Sequence, residues 1–265
     1  MKNFLIYLKR TFLLEIKKTI AYPASFWIDV LTIPLFISVQ IMFIESIFTQ
    51  TNDFLGYTKY QAYVLFGTYN FIHASGHVFF YNRLAELKGM IRGDAQESFD
   101  SALIKPMDSQ LFATLGRFSF GDLGQYTLNL ALIFYGIFHQ GNVLNIVNII
   151  TYILLIGMGI LTFYLTYLFI STLLFYYPQL QVTEDLWEEF SKLGQYPSGL
   201  YKGYMGALVN LVVPLTLLGS IPVEALFGKT PQYMLGTYAV VLFILFLLTR
   251  IFWKYSVNKY SSFSS

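Results

Sequence analysis

The chain has 265 residues, of which 55% are hydrophobic and 12% charged, with no cysteine, a formal net charge of +2 and a mean hydropathy of +0.55. Soluble domains carry about 25% charged residues, so this balance excludes a soluble enzyme or binding module and places the chain in a bilayer. The lack of cysteine excludes disulfides, thiolate metal sites and thiol catalysis, and nothing in the chain points to nucleic acid.

Residues 3–20 set Phe4, Leu5, Leu8, Phe12 and Ile16 at helical spacing, with Lys2, Lys9 and Lys17 towards the other side. This pattern predicts an amphipathic helix in the membrane interface over 1–23, ended by Tyr22-Pro23. A window of about 19 residues then marks six spans, at 24–48, 59–82, 117–138, 146–177, 204–226 and 231–252. The first span runs past any signal-like core without an Ala-x-Ala pattern, so it is expected to stay in the protein. The third and fourth carry the clearest signal. Residues 123–183 form a run of 61 without Asp, Glu, Lys or Arg, room for two crossings of about 20 residues joined at His139-Gln140-Gly141-Asn142. A bilayer requires internal backbone hydrogen bonding and no alternating barrel pattern is present, so the expected fold is all-α, one polytopic domain over 1–265.

With a cytoplasmic N-terminus, fifteen of seventeen Lys and Arg fall inside: Lys2, Lys9, Arg10, Lys17 and Lys18, then Arg83, Lys88, Arg92, Lys105 and Arg117, then Lys192 and Lys202, then Arg250, Lys254 and Lys259. Only Lys59 and Lys229 fall outside, which predicts cytoplasmic termini and an even number of spans. Outer connections at 49–58, 139–145 and 227–230 are short. The segments 83–116 and 178–203 are read as cytoplasmic, the latter carrying Glu184, Asp185, Glu188 and Glu189 on a short helix that breaks at Tyr196-Pro197-Ser198-Gly199.

Gly228-Lys229-Thr230 resembles the end of a phosphate-binding loop, but Val223 stands where that motif needs glycine, so ATP hydrolysis is not expected of this chain. His73 and His77 lie one helical turn apart. The intervening Ala74-Ser75-Gly76 has no catalytic Glu and no third ligand is visible, so the pair reads as a polar stripe facing another helix or a cavity, and no metal is assigned. Asp29, Glu45, Arg117, Asp122 and Glu224 are charges in or near spans, where lipid makes them costly; Arg117 and Asp122 are placed to pair or to reach headgroups. Gly157 with Gly159, and Gly199 with Gly203, permit close helix approach. The loop from Asp94 to Asp108 sets acids among apolar Phe99, Leu103 and Ile104 and stops at Pro106. It reads equally as a docking helix for a soluble partner or as a solvated loop dipping into the interface.

At this loop Phe99, Asp100, Leu103, Ile104, Lys105 and Pro106 follow in order a motif of the membrane subunits of ATP-binding-cassette exporters of the type-two permease class, in a six-span bacterial branch. Glu97 stands in place of the motif's glycine. Tyr196-Pro197-Ser198-Gly199-Leu200-Tyr201 is similar to that family's element before the fifth span. Val213-Pro214 and Ile221-Pro222-Val223-Glu224-Ala225-Leu226-Phe227-Gly228 resemble its proline-punctuated fifth span, with Val223 where Ala is usual. The resemblance implies two permease subunits, identical or related, in the plasma membrane on separate cytoplasmic ATPase subunits, which hold the ATP and magnesium; no cofactor is expected in this chain. It also implies a coupling helix at 94–106, with Glu97 in its motif, Phe99, Leu103 and Ile104 as anchors in the ATPase, Asp100 and Lys105 fixing orientation, and Pro106 ending it. Pro34, His73, His77, Pro214, Pro222 and Glu224 are assigned to the translocation path or its hinges, with the three prolines interrupting helices and the fifth span ending in a re-entrant segment. Efflux of a hydrophobic or amphipathic cargo such as a peptide, lipid or drug is the expected activity. The alternatives are a lipid-acting membrane enzyme with His73, His77 or His139 as base, and an ion-driven secondary transporter, which lacks the inverted halves expected of that class.

Overall fold

The computed structural model describes residues 2–21, 23–95, 97–120, 123–141, 144–180, 182–231 and 233–260, without the side chains of 2–5, 23–27, 29 and 30. The readings placed on Lys2, Phe4, Leu5, Tyr22, Pro23, Asp29, Asp122 and Asn142 lie outside the described residues or side chains. Twelve α-helices are described: α1 (Lys2–Ala21), α2 (Pro23–Phe48), α3 (Lys59–Gly76), α4 (Asn82–Arg92), α5 (Phe99–Ile104), α6 (Ser109–Thr114), α7 (Leu123–Gln140), α8 (Ile146–Thr172), α9 (Thr183–Ser191), α10 (Gly203–Ala207), α11 (Ser220–Leu226) and α12 (Tyr233–Val257). No strand forms among the described residues. Three segments are long and apolar enough to cross a membrane: Leu31–Phe48, Ile146–Phe175 and Tyr233–Val257.

The central helix is α3, buried along most of its length. A capping box starts it: the Thr58 side chain accepts from the Gln61 backbone N–H while the Gln61 side chain accepts from that of Thr58. Its polar residues avoid lipid by pairing with neighbours. Asn70 and Gln40 of α2 exchange hydrogen bonds, Thr68 and the Tyr152 hydroxyl of α8 lie 2.7 Å apart, and the Tyr126 hydroxyl of α7 donates to Ser75 at 3.1 Å. Past Gly76 the helix does not stop at the membrane boundary expected at 82. It passes through a π-helical turn at His77–Tyr81 into α4 and ends at Gly93, whose φ of 83° is the left-handed conformation glycine adopts freely.

The end of the bundle reached by α4 holds most of the charge. Arg83, almost fully buried, bonds Glu86 at 3.2 Å and Glu97 at 2.9 Å, and Arg117 pairs with Glu86 at 2.5 Å. Asp108 caps α6 by accepting from the Gln110 and Leu111 backbone N–H groups, and it clamps α12 through both Arg250 guanidinium nitrogens. Both ends of the described chain meet here, since Tyr7 of α1 packs on Phe112 at 5.1 Å and Tyr260 on Phe99 at 5.0 Å. The α1 helix exists as expected, and its Phe12 rests edge-on against Phe118 and Phe120.

The expected fifth span differs most. Residues 204–226 do not form one helix: α10 passes into a π-helical turn at Leu208–Val212, the helix breaks at Val213-Pro214, and α11 follows a 3-10 turn at Leu215–Leu218. The segment 183–198 is not a loop at the charged end either. It runs alongside α3: Glu188 meets His77 and His73, Ser191 lies against Tyr69, and Ser198 reaches Ser220 and Glu224, whose carboxylate also binds Tyr57 just before α3. The traverse from the charged end to the Tyr57 end is therefore made by α9 and the 3-10 turns after it. Residues 203–226 form a bent hairpin that begins and ends near Tyr57, so the re-entrant portion is the whole of the expected fifth span. Lys202, beside α10, belongs to the Tyr57 end and Lys192 lies partway along the bundle, while Arg83, Arg117, Arg250 and Lys259 stay at the charged end.

Two glycines make room for this hairpin. A Cβ on Gly159 of α8 would lie 2.5 Å from the Leu217 carbonyl oxygen, and one on Gly194 would lie 2.5 Å from that of Leu215. The break itself is Pro214. Pro34 does not interrupt α2, which stays helical from Pro23 to Phe48, and Pro222 sits in the first turn of α11, where a backbone N–H has no intrahelical acceptor to lose.

Replacing Gly159 or Gly194 by Ala is expected to destabilise the protein by about 1–3 kcal/mol, read as a lower thermal-unfolding midpoint in detergent. Gly157→Ala, with open space at its Cβ, leaves the midpoint unchanged. The Arg250 hydrogen bond holds the Asp108 carboxyl below its ordinary value. A carboxyl lowered in the folded state contributes stability that is present above its unfolded value of about 3.9 and is lost as pH falls through the lower folded value. Thermal unfolding followed against pH should show that acid loss in the parent protein and a smaller one in Asp108→Asn.

Candidate functional site

At the charged end, α5 is a single short helix started at Ser98. Phe99 is fully buried in this chain: its ring packs at 4.9 Å on Phe175, 5.0 Å on Tyr260 and 6.0 Å on Trp253. The expectation of a partner-binding anchor at Phe99 is thus corrected, because the ring has no surface left to offer. Leu103 and Ile104 are the exposed apolar pair, at 46% and 83% exposure, with Glu97 and Pro106 exposed beside them. Lys105 folds back so that its ammonium lies 3.8 Å from the centre of the Phe112 ring, and Asp100 is half-buried next to Phe99. What α5 presents outward is therefore Leu103 and Ile104 on a base fixed by Phe99 and Ala102.

At the other end, one carboxylate gathers three segments. Glu224 Oε1 accepts from the hydroxyls of Tyr57 at 3.0 Å, Ser198 at 2.5 Å and Ser220 at 2.8 Å, while the Ser198 backbone N–H donates to Ser220 Oγ at 2.7 Å. Lys229 donates to the Gly56 carbonyl and, at 2.6 Å, to Gln61 Oε1, so the apparent phosphate-loop lysine serves to hold the turn before α3. Glu45 is paired likewise, with Lys59 at 3.0 Å and the Tyr63 hydroxyl. Arg117 pairs with Glu86 at 2.5 Å.

Between the two ends lies a polar cavity of about 490 Å³, walled by Ile33, Phe36, Ile37 and Gln40 of α2, Tyr69, Asn70, His73 and His77 of α3, Gln125 and Asn129 of α7, and Glu188, Lys192 and Gln195. His73 and His77 do face a partner, as the stripe reading expects. That partner is Glu188, whose two carboxylate oxygens lie 3.3 Å from His73 Nε2 and 3.1 Å from His77 Nε2. Glu188 was hidden in the sequence because it is 111 positions from His77 and looked like part of an acidic cytoplasmic helix. The one local signal was the amphipathic pattern of α9, which buries Trp187 against Tyr167 and Phe163 while Glu188 turns to α3. His139 lies far from this cluster, at the opposite end of α7, which removes it from any shared site.

No curated protein and no solved structure gives a significant match to the chain. A family model for ABC-2 family transporter proteins matches residues 35–264. That match takes in α5, the polar cavity and the α10–α11 hairpin, and together with an all-helical architecture of long apolar helices it places the chain in the ABC-2 transporter family, as a multi-pass membrane permease subunit whose ATPase resides in partner subunits.

Proposed function

We propose that this permease is driven by a cytoplasmic ATPase that docks on α5, and that it exports an amphipathic cargo across the plasma membrane, with both chain termini in the cytoplasm. The observation that carries this reading is the exposed Leu103–Ile104 pair on a helix fixed from behind. Apolar side chains exposed at a membrane protein's most charged end have no lipid to face, and a rigid base lets a push on them reach the bundle. The route is direct: Phe99 is packed on Phe175 at the foot of α8 and on Trp253 of α12, while Arg83 of α4 pairs with Glu97 just before α5 and Arg117 pairs with Glu86 of α4.

The cargo path we assign to the polar cavity around His73, His77, Asn70 and Asn129, completed by a second permease subunit. In this reading the second subunit packs on apolar side chains that α2 (Leu31, Leu35, Val39, Met42) and the hairpin (Tyr204, Leu208, Leu211, Val212) leave outside the bundle. The bent hairpin is suited to gating because Pro214 leaves it without a continuous helical axis. A polar cavity flanked by apolar surface fits a molecule with both characters. A lipid-acting enzyme has in its favour that His73 and His77 cluster with the acid Glu188, but the family match over residues 35–264 favours the permease reading.

The test is copurification of the ATPase with the tagged chain in mild detergent. Leu103→Asp/Ile104→Asp is expected to lose the ATPase with an unchanged unfolding midpoint. Phe99→Ala is expected to lose about 3–5 kcal/mol of stability, the usual loss for a buried Phe, and to lower the midpoint before it affects association. Retention of the ATPase by the aspartate pair would place the docking surface elsewhere.

A further inference from the structure

His73, His77 and Glu188 each offer one candidate ligand atom, and these atoms all lie within 4.8 Å of one another. Bonds of about 2.0–2.2 Å in a tetrahedral zinc site put neighbouring ligand atoms about 3.4 Å apart. His73 Nε2 lies 3.3 Å from Glu188 Oε2 and His77 Nε2 lies 3.1 Å from Glu188 Oε1, so each imidazole has a different carboxylate oxygen near that edge length, and a three-ligand site takes one of the two. The two imidazoles are held on the same side of α3, with ring centres 4.6 Å apart, and His77 is stacked on Tyr81 at 4.0 Å in the π-helical turn.

Three further features favour a cation here over a simple hydrogen-bonded cluster. A carboxylate at this depth needs compensating positive charge, and Lys192, on the same cavity wall, is engaged by Glu189 at 2.5 Å. The three side chains are each 21–30% exposed, so an ion in the cavity can reach them. Asn129 lines the same cavity fully buried, with neither its amide nitrogen nor its oxygen bonded, which marks a space built to hold water or a polar ligand. Two imidazoles with one carboxylate select borderline divalent metals such as zinc or cobalt over magnesium or calcium, which prefer all-oxygen sites.

We propose that His73, His77 and Glu188 bind one zinc-class divalent ion, with its fourth position open to the polar cavity, and that the ion cross-links α3 to the α9 traverse. It would pin the segment leading to the hairpin, so occupancy restrains the element that the bundle must move.

Full-length protein in lipid nanodiscs, stripped with chelator, is titrated with Co²⁺ and then Zn²⁺. The expected result is one Co²⁺ per chain with the visible bands of four-coordinate geometry, displaced by Zn²⁺, and a higher unfolding midpoint with Zn²⁺. In His73→Gln/His77→Gln the affinity should fall by more than the about 10–100-fold that loss of a hydrogen-bond partner behind a ligand produces, and the zinc-induced rise in midpoint should vanish. X-ray absorption on the zinc-loaded parent protein, which needs no variant to fold, should show two imidazole ligands. Absence of stoichiometric binding, equal binding by the variant, or all-oxygen coordination overturns the site and leaves a hydrogen-bonded His–Glu cluster.

Discussion

Glu224 gathers the turn before α3, the end of the α9 traverse and the start of α11 on one oxygen, and the irregular half of this bundle depends on that junction. Within a bilayer, backbone that is not helical survives only where protein satisfies it. The run from Lys192 to Gly219 contains 3-10 turns, a π-helical turn and the Pro214 break, so it has the most backbone to satisfy. Its ends are fixed by the hydroxyls of Tyr57, Ser198 and Ser220 on Glu224, and its middle is wedged between Gly159 and Gly194, where only hydrogen fits against the Leu217 and Leu215 carbonyls. A charge that would be prohibitive in lipid is here the acceptor that holds two chain reversals together.

The opposite end is built on a different principle. There, aromatic packing of Phe99, Phe175, Trp253 and Tyr260 and the Asp108–Arg250 clamp bring α5, α6, the foot of α8 and the end of α12 into one body. In the proposed coupling, a push on the apolar pair mounted on such a base would reach these elements together. Between the two bodies, His73, His77 and Glu188 join the α3–α4 helical run to the crossing made by α9 and the 3-10 turns after it, at the level of the polar cavity. Rigid ends and a cavity bridged by few contacts are what alternating exposure of a cargo site requires.

How much of this was legible in the sequence follows from which forces act locally. Hydropathy marks α2, α8 and α12 because each faces lipid over much of its surface, and cations such as Arg83, Arg117, Arg250 and Lys259 gather at one end. The all-helical fold was readable for the same reason, whereas the permease family and a short helix within 94–106 were read from motif residues in order, and that helix forms over Phe99–Ile104. The exchange of roles between 183–198 and 204–226 was not readable. Residues 183–191 carry four acids and look soluble, yet Trp187 packs on Phe163 and Tyr167 of α8 and Glu188 pairs with His73 and His77, all far away in the chain. Residues 204–226 are apolar enough for a span, but hydropathy does not register that Pro214 folds them back. Phe99 was misread for a related reason: an apolar residue in a charged loop looks the same in sequence whether it faces a partner or its own core.

The most direct test of this arrangement uses the absence of native cysteine, since single cysteines can be introduced and labelled with an impermeant maleimide on intact cells. Lys202→Cys, exposed beside the Glu224 junction, should react from the same face as Asp53→Cys in the turn before α3, and Ile104→Cys only from the opposite face. Reaction of Lys202→Cys only from the Ile104 face would contradict the account, because it would return 183–202 to a loop at the charged end and make 204–226 a simple crossing.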